Sequence, residues 1–308
     1  MGQTKMSSII PIRKAVIPVA GLGTRMLPAT KAIPKELLPI YDRPIIEHVV
    51  KEAISAGICE IIFVTRTGKE AIENHFDVHY ELEQRLVKKN NNKILEKIVK
   101  IIPKEIKISS IRQSDALGLG HAILCAKHLL NNEPFAVLLP DVLVLDKKIR
   151  SPNFSFIQLI NAWNNSGISQ VMIEQVDINS SEKYGIVGLN DKNINTFETI
   201  PLKGLIEKPS PQDAPSNLAV LGRYILSPKI FNLLECLKPG VDSEVQLTDG
   251  LSKLLNLEGL NGLKTDADVY DCGNKLGYLN ANLAVGMLDA VSRASLYALF
   301  NKLIDDDF

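Results

Sequence analysis

Short apolar runs alternate with amphipathic segments through the first half of this sequence. Continuous apolar runs bounded by turn residues are typical of buried strands, whereas apolar residues three and four apart are typical of helices that pack on one face. The predicted strands are Lys14–Val19, Glu60–Thr65, Ile106–Ile111 and Phe135–Leu139, and the clearest predicted helices are Pro44–Ala56 and Gly120–Leu130. Because these strands alternate with helices, we expect a parallel sheet covered by helices on both faces.

The second half of the sequence is richer in strands and less regular. Its predicted strands are Ser169–Val176, Tyr184–Leu189, Lys203–Ile206 and Leu218–Ile225, and an amphipathic helical pattern begins at about Ala281. Neither an internal repeat nor a long low-complexity linker separates the two halves. The pattern predicts an α/β domain over residues 12–290, with a Rossmann-like, doubly wound, mixed but mainly parallel sheet and a strand-rich lobe. A helical tail follows over residues 291–308.

Composition narrows the classes of function. Lys plus Arg and Asp plus Glu both number 35, so the chain lacks the basic excess typical of proteins that bind nucleic acid. No apolar run reaches transmembrane length, and we expect no membrane partner. Four cysteines lie far apart without a CxxC pair, which is typical of reduced thiols in a cytoplasmic protein. An anionic ligand would therefore be held by a few placed cations.

A glycine-containing segment from Gly21 to Lys35 follows the first predicted strand, where parallel α/β sheets bind ligands. Gly21 and Gly23 let backbone N–H groups approach phosphate oxygens. Arg25 can bind two phosphate oxygens at once, and Lys35 adds a point charge. On this segment alone, both a phosphate-binding turn and an ordinary glycine turn beside surface cations remain open.

Two well-known phosphate motifs do not fit. Met26 stands where the dinucleotide fingerprint requires its third glycine, which disfavours an oxidoreductase. Phe63 stands where a Walker A motif ending at Gly68-Lys69 would require a glycine. The segment therefore belongs to another class of phosphate site, if it is one.

Charged residues follow other predicted strands. Asp141 follows the fourth strand and Asp271 follows a short apolar stretch, and such carboxylates suit Mg²⁺, although either alone could cap a loop. Glu207 and Lys208 stand at the end of a strand that Pro209 would terminate. Both of these side chains can then reach one pocket, with a surface ion pair as the alternative.

Several separated stretches resemble the sugar-phosphate nucleotidylyltransferases. The glycine-containing segment matches nearly every position of that family's GxGTRxxPxT signature and its downstream lysine. The resemblance covers about Lys14 to about Tyr278, most of the chain. The other similar stretches follow in the family's order and are Ala29–Leu38, Glu73–Asp77, Gly118–Ala122, Leu139–Val142, Glu207–Pro209, Gln246–Asp249 and Asp271–Tyr278.

This resemblance implies a reaction and a set of site residues. The reaction transfers the uridylyl group of UTP to α-D-glucose 1-phosphate, giving UDP-glucose and pyrophosphate. The strand-rich lobe would bind the sugar, and the protein would be a homodimer or homotetramer. The implied nucleotide-binding residues are Ala20, Gly21, Gly23, Thr24, Gln113 and Gly118; the sugar-binding residues are Gly185, Glu207 and Gly222; the metal ligands for Mg²⁺ are Asp141 and Asp271; the catalytic cations are Arg25, Lys35 and Lys208.

The sequence departs from the family pattern at a few positions. Leu117 replaces a common lysine, which removes a possible cation near the nucleotide, and Ser243 replaces a common aspartate. A non-catalytic paralogue of the family tends to lose the Thr-Arg pair, whereas Thr24 and Arg25 are present here. Two alternatives stay open: the same chemistry with dTTP, and a regulatory subunit that binds nucleotide sugar without turnover.

Overall fold

The protein is described from a computed structural model over residues 9–147, 152–190, 194–238 and 244–305. Within these ranges the strands are β1 (Lys14–Pro18), β2 (Pro39–Ile40), β3 (Arg43–Pro44), β4 (Glu60–Thr65), β5 (Lys107–Arg112), β6 (Phe135–Leu138), β7 (Val142–Leu145), β8 (Gln170–Gln175), β9 (Gly185–Gly188), β10 (Thr199–Pro201), β11 (Gly204–Glu207), β12 (Leu218–Leu226), β13 (Asn261–Lys264) and β14 (Asp268–Asp271). The α-helices are α1 (Ile45–Ser55), α2 (Glu70–Phe76), α3 (Tyr80–Lys88), α4 (Asn92–Val99), α5 (Gly118–Cys125), α6 (Lys127–Leu130), α7 (Phe154–Ser166), α8 (Lys229–Glu235), α9 (Leu247–Glu258), α10 (Lys275–Gly286) and α11 (Ala290–Asp305).

Most strands form one mixed sheet with the order β10-β13-β8-β12-β6-β1-β4-β5. Strands β6, β1, β4 and β5 are parallel, while β12 is antiparallel to both of its neighbours, β6 and β8. Strand β9 pairs with β12, and β11 pairs with β9, so these strands extend the sheet as a side branch. The predicted α/β fold with a mixed sheet is confirmed.

The core lies on both faces of this sheet, because successive strand residues point to opposite sides. On β1, Val16 packs into one buried cluster, whereas Ala15 and Ile17 pack into the other. On β4, Ile62 belongs to the first cluster and Phe63 to the second. This double burial explains why the central strands are continuously apolar.

Several elements differ from the sequence-based expectation. The helix predicted over Gly120–Leu130 begins at Gly118 and is divided at Ala126 into α5 and α6. Helices α7 and α9 and the antiparallel pair β7–β14 were not anticipated. The final helical region begins with α10 at Lys275, before the predicted start. The division into 12–290 and 291–308 stays a prediction.

The structure also bears on the redox state of the cysteines and on the length of the helices. Cys59, Cys125, Cys236 and Cys272 are all free thiols. No helix in the described part of the chain is both long and apolar enough to cross a bilayer. The departure at Ser243 lies outside the described residues.

Candidate active site

The glycine-containing segment folds as a compact loop after β1. Its backbone forms short 3₁₀ turns at Thr24–Met26, Ala29–Lys31 and Lys35–Leu37. Gly23 has a left-handed backbone with φ of 70°, and its carbonyl accepts a hydrogen bond of 2.8 Å from the Thr30 hydroxyl. This internal bond closes the loop, so that Arg25 and Lys35 lie on the same side of the sheet edge.

Two cations of the loop contact two aspartates from distant parts of the sequence. Lys35 Nζ lies 2.5 Å from Asp141 Oδ2. Arg25 donates from Nη1 to Asp271 Oδ2 at 3.1 Å, and its Nη2 lies 4.0 Å from Asp141 Oδ2. The Lys35 and Asp141 side chains are largely buried, whereas the Arg25 side chain is 61% exposed. The structure thus brings these four predicted residues together.

The antiparallel pair β7–β14 places the second aspartate beside the first. Asp271 pairs in register with Val142, and the Cys272 amide donates to the Asp141 carbonyl at 2.8 Å. The Asn274 side chain then caps α10 by accepting from the Gly277 amide at 2.8 Å, and it donates to the Asp271 carbonyl at 2.9 Å. The motif around Asp271 is therefore a strand end fixed by a helix cap.

Gly273 is a site residue that sequence analysis did not single out. A Cβ atom there would lie 2.6 Å from Arg25 Nη2, 2.7 Å from Asp141 Oδ2 and 2.9 Å from Asp271 Oδ1. Real Cβ atoms do not approach other atoms this closely, so the cluster requires the absence of a side chain at this position. Its place inside the stretch Asp271–Tyr278 was the available signal.

Charge pairing controls the protonation of the cluster. Burial opposes the charge of Lys35, but Asp141 and Glu36 outweigh it and raise the pKa of Lys35. Burial likewise opposes ionisation of Asp141, but Lys35 outweighs it and lowers the pKa of that carboxyl. Burial, Asp141 and Asp271 raise the pKa of Cys272 to about 12. Both Lys35 and Asp141 are therefore charged at neutral pH, and the Cys272 thiol is a poor nucleophile.

One cavity of about 540 Å³ opens between the loop and the N-terminus of α5. Gln113 is buried there; its Nε2 donates to the Gly118 carbonyl at 3.1 Å and lies 3.0 Å from His121 Nδ1. Leu117, the departure from the family pattern, accepts from the Val245 amide at 2.8 Å. The cavity is lined by all six predicted nucleotide-binding residues, Ala20, Gly21, Gly23, Thr24, Gln113 and Gly118, together with Arg25, Lys35, Asp141 and Glu244.

A second cavity of about 260 Å³ lies on the strand-rich side. Glu207 accepts a hydrogen bond of 2.6 Å from Thr248 Oγ1, which fixes its carboxylate at the wall. The predicted sugar-binding residues Gly185, Glu207 and Gly222 all line this cavity, and so do Glu174, Tyr184 and Thr248, for which the sequence analysis proposed no role. Arg25 and Asp141 line both cavities, so the two spaces meet at the cation–aspartate cluster.

Lys208 is placed differently from the other predicted cations. Strand β11 ends at Glu207, and Lys208 adopts a left-handed backbone with φ of 47°. Its side chain is 57% exposed, lies 3.8 Å from Glu207 Oε1 and lines neither cavity. A left-handed lysine costs on the order of 1–2 kcal/mol, and such strain is concentrated at functional sites. The strained backbone leaves Lys208 at the rim beside Glu207.

Comparisons with known proteins find similar sequences and folds over most of the chain. The nucleotidyl transferase family matches residues 14–286. The chain is 46% identical over 274 residues to a UTP–glucose-1-phosphate uridylyltransferase of Haemophilus influenzae, covering 89% of this chain and 93% of that protein. A solved UTP-bound UGPase of Acinetobacter baumannii is 43% identical with a TM-score of 0.87, covering 95% and 99% of the two chains. A UDP-glucose pyrophosphorylase complexed with UDP-glucose is 38% identical with a TM-score of 0.80, covering 90% and 100%.

Proposed function

This chain belongs to the nucleotidyl transferase family, and we propose that it transfers the uridylyl group of UTP to α-D-glucose 1-phosphate. The products are UDP-glucose and pyrophosphate. The observation that carries the proposal is the meeting of two cavities at Arg25 and Asp141, because a transfer reaction needs two substrates in contact at one charged point. The names of the relatives from Haemophilus influenzae and Acinetobacter baumannii support the choice of substrates.

The nucleotide occupies the larger cavity in this proposal. Backbone amides of Gly21, Gly23 and Thr24 contact the triphosphate, which suits a loop with free N–H groups. Ala20, Gln113 and Gly118 contact the uracil. Because Gln113 Nε2 is already engaged with Gly118 and His121, its carboxamide is held in one orientation for the base.

The sugar phosphate occupies the smaller cavity. Glu207 accepts hydrogen bonds from glucose hydroxyls. The Thr248 hydroxyl, which donates to Glu207 Oε2, holds the carboxylate in place. Gly185 and Gly222 form the floor where a ring can lie against backbone. Lys208, at the rim, binds the phosphate of the incoming sugar once that phosphate displaces Glu207 as its partner.

The reaction requires no protein nucleophile. A phosphate oxygen of glucose 1-phosphate attacks the α-phosphorus of UTP in line, a new P–O bond forms, and the bond to the β-phosphate breaks to release pyrophosphate. The attacking oxygen is already anionic, so no general base is needed. Arg25 and Lys35 neutralise the triphosphate and the leaving group, which leaves positioning and charge stabilisation as the sources of catalysis.

Members of the nucleotidyl transferase family generally use a divalent metal ion. Oxygen atoms of Asp141 and Asp271 lie within 3 Å of one point, the position of a Cβ on Gly273, and Arg25 Nη2 lies 2.6 Å from the same point. Hard oxygen donors thus converge where the guanidinium now supplies the positive charge. Among the described residues no third acid, histidine or cysteine joins them to form a closed site. Such a pair fits Mg²⁺, which is commonly bound by one or two carboxylates plus water and substrate phosphates. When bound, Mg²⁺ would supply positive charge to the phosphate oxygens.

The decisive experiment measures pyrophosphate release from the purified protein with UTP, glucose 1-phosphate and MgCl₂. We expect release that needs both substrates and stops with EDTA, and slower release with dTTP. Absence of release together with tight binding of UDP-glucose would identify a non-catalytic binding subunit instead. Preference for dTTP would contradict the proposed nucleotide.

Two substitutions test the residue roles. Arg25→Ala and Lys208→Ala should each lower turnover on the order of 10²–10³-fold, by analogy with loss of an oxyanion donor. Arg85→Ala is the matched control, because Arg85 is an exposed cation on α3 that forms an ion pair with Glu81 of the same helix and lines neither cavity. Near-normal turnover in either site variant would show that its assigned role is wrong.

Assembly and location belong to the same proposal. We propose a homodimer or homotetramer in the cytoplasm, as the resemblance and the free thiols suggest. Sedimentation equilibrium of the purified chain tests the assembly, and a monomer at micromolar concentration would contradict it.

A further inference from the structure

Glu174 is an acidic residue of the smaller cavity to which the described part of the chain offers no hydrogen-bond or ion-pair partner. It stands near the end of β8 and lines the cavity with Tyr184, Gly185 and Glu207. Within the described residues its carboxylate makes no hydrogen bond and no ion pair. Its negative charge contributes to a raised pKa of Tyr184, which places the two side chains near each other.

The other acids of this cavity are all paired. Asp141 contacts Lys35, Asp271 contacts Arg25, and Glu207 accepts from Thr248. Against this background Glu174 is the exception among the acidic residues that line the cavity. A partly buried carboxylate without a donor is costly, and such a residue is retained where a ligand supplies the donors.

The strand geometry explains why Glu174 faces the cavity. Val171, Met172 and Ile173 are fully buried in the sheet, and Glu174 is the next residue, paired with Ala219 of β12. Beyond Val220 the β8–β12 register shifts, close to Gly222 of the cavity wall. The sheet therefore opens into the cavity at Glu174, while the adjacent Gln175 is exposed on the other face.

The electrostatics are consistent with a site for neutral hydrogen-bond donors. Burial raises the pKa of Glu174 to about 7, and no cation acts against this shift. A phosphate group would be repelled by this carboxylate and attracted by Arg25, which lines the same cavity. The wall also includes Leu205, Val220 and Leu251, which suit the C–H face of a sugar ring.

We propose that Glu174 is a specificity-determining residue that accepts hydrogen bonds from ring hydroxyl groups of the hexose 1-phosphate. Glu207 supplies a second acceptor from β11, so the sugar is recognised from two strands. This inference rests on the proposed function and deepens it. A site built to hydrogen-bond a hydroxyl discriminates against a sugar that lacks it, because the partly buried acceptor is then left without a donor.

The test measures each protein variant with each of several sugar phosphates, so that loss of the side chain can be compared with loss of the hydroxyl. Glucose 1-phosphate and its 2-, 3-, 4- and 6-deoxy analogues are compared on wild type, Glu174→Gln and Glu174→Ala, with Gln175→Ala as the control on the same strand. For glucose 1-phosphate, Glu174→Ala should raise KM by roughly 10–100-fold, the effect of losing a hydrogen bond to a charged group, and leave KM for UTP unchanged. At least one deoxy analogue should be as poor a substrate for wild type as for Glu174→Ala.

The outcomes separate this inference from the proposed function. If Glu174→Ala has the wild-type KM for glucose 1-phosphate and the same losses across the deoxy series, Glu174 does not contact the sugar. If the wild type itself releases no pyrophosphate, the proposed function is wrong. Calorimetric titration of glucose 1-phosphate into wild type and Glu174→Ala then decides the contact, and equal affinities or no binding to the wild type would overturn it. If Glu174→Ala fails to fold, the near-isosteric Glu174→Gln is measured in its place.

Discussion

Gly273 lies where Arg25, Asp141 and Asp271 come closest together. Its own amide donates to Asp271 Oδ1 at 2.9 Å, so the backbone orients the carboxylate directly. Three charged side chains, those of Arg25, Asp141 and Asp271, thus converge on a glycine. Any added atom must displace one of the charged groups.

We therefore predict a large functional cost for Gly273→Ala. The added methyl should separate Arg25 from the two aspartates and lower kcat on the order of 10²-fold, comparable to removing one electrostatic donor. Gly204→Ala is the control, because a Cβ there meets no atom within 4 Å. Steady-state kinetics checks the prediction, and equal turnover of both variants would refute the crowding argument.

Glu174 yields a prediction about stability. Burial raises the pKa of Glu174 in the folded protein from its usual 4.5 to about 7, so the folded state holds a proton that the unfolded state loses between these values. The contribution of Glu174 to the free energy of unfolding therefore falls as the pH rises from about 4.5 to about 7, and it stays low at higher pH. Glu174→Gln removes the penalty and should be more stable than wild type at pH 8 and equally stable at pH 4. Urea unfolding at both pH values measures this, and a difference independent of pH would contradict the burial argument.

At the scale of elements, a buried arginine connects the pieces that carry the site. Arg223 of β12 is fully buried and forms a two-pronged ion pair with Glu52 of α1, at 2.9 and 2.8 Å. The same guanidinium donates to the carbonyls of Leu139, Gly222 and Val142 at 3.2, 3.2 and 2.8 Å. Leu139 and Val142 flank Asp141 in the sequence, and all three residues line the smaller cavity. Arg223 is therefore a positioning residue for both cavities.

This arrangement predicts that stability and activity can be separated. Glu52→Gln should destabilise the protein by about 3–5 kcal/mol, since it leaves a buried charge unpaired. The double variant Glu52→Leu with Arg223→Met should recover much of that stability but not turnover, because the loop carbonyls have lost their donor. Urea unfolding and kcat are measured together. Wild-type turnover in the stable double variant would show that the pair serves only the fold.

At the scale of the whole molecule, α11 lies apart from the rest. None of its described residues belongs to a buried cluster or lines either cavity. Its contacts with earlier residues include a hydrogen bond of 2.9 Å between Ser292 Oγ and Tyr41 Oη and one of 2.8 Å from the Ser292 amide to Asp289 Oδ1. Leu296 lies near Gly286. Helix α10, in contrast, buries Ala281 in a core cluster. The division at residue 290 stays a prediction, and this difference in burial provides a way to test it.

We predict that a chain ending at Asp289 folds and keeps wild-type turnover, because the site and the core are complete without α11. Circular dichroism and the pyrophosphate assay check this. The control chain ends at Gly273 and should not fold, since it lacks α10 and its buried Ala281. Loss of turnover in a folded chain ending at Asp289 would contradict the predicted domain division.

Helix α7 is one of the elements that the sequence analysis did not predict. Helix α7 carries Phe156, Leu159, Ile160 and Trp163 at helical spacing, and all are buried. The pattern was available, but aromatic residues and asparagines with weak helix propensity surround it. Helix α7 is therefore stabilised mainly by burial of its apolar face in the folded protein, because the helix propensity of its residues contributes little.

The sequence alone determined the fold class, the position of the glycine-containing loop after the first strand and the approximate place of Asp141. Each depends on local signals, namely apolar runs that fix strands and the rule that ligands bind beyond the carboxyl ends of parallel strands. The family signature added the remaining candidate residues, and their roles stay predictions.

Only the tertiary structure decided which distant residues meet. Asp271 reaches Asp141 because β14 pairs with β7, and Arg223 reaches Glu52 across the sheet. Burial likewise distinguishes Glu174 from an ordinary strand glutamate. Strand pairing and burial sum many weak contacts over the whole chain, so no local pattern of residues specifies them.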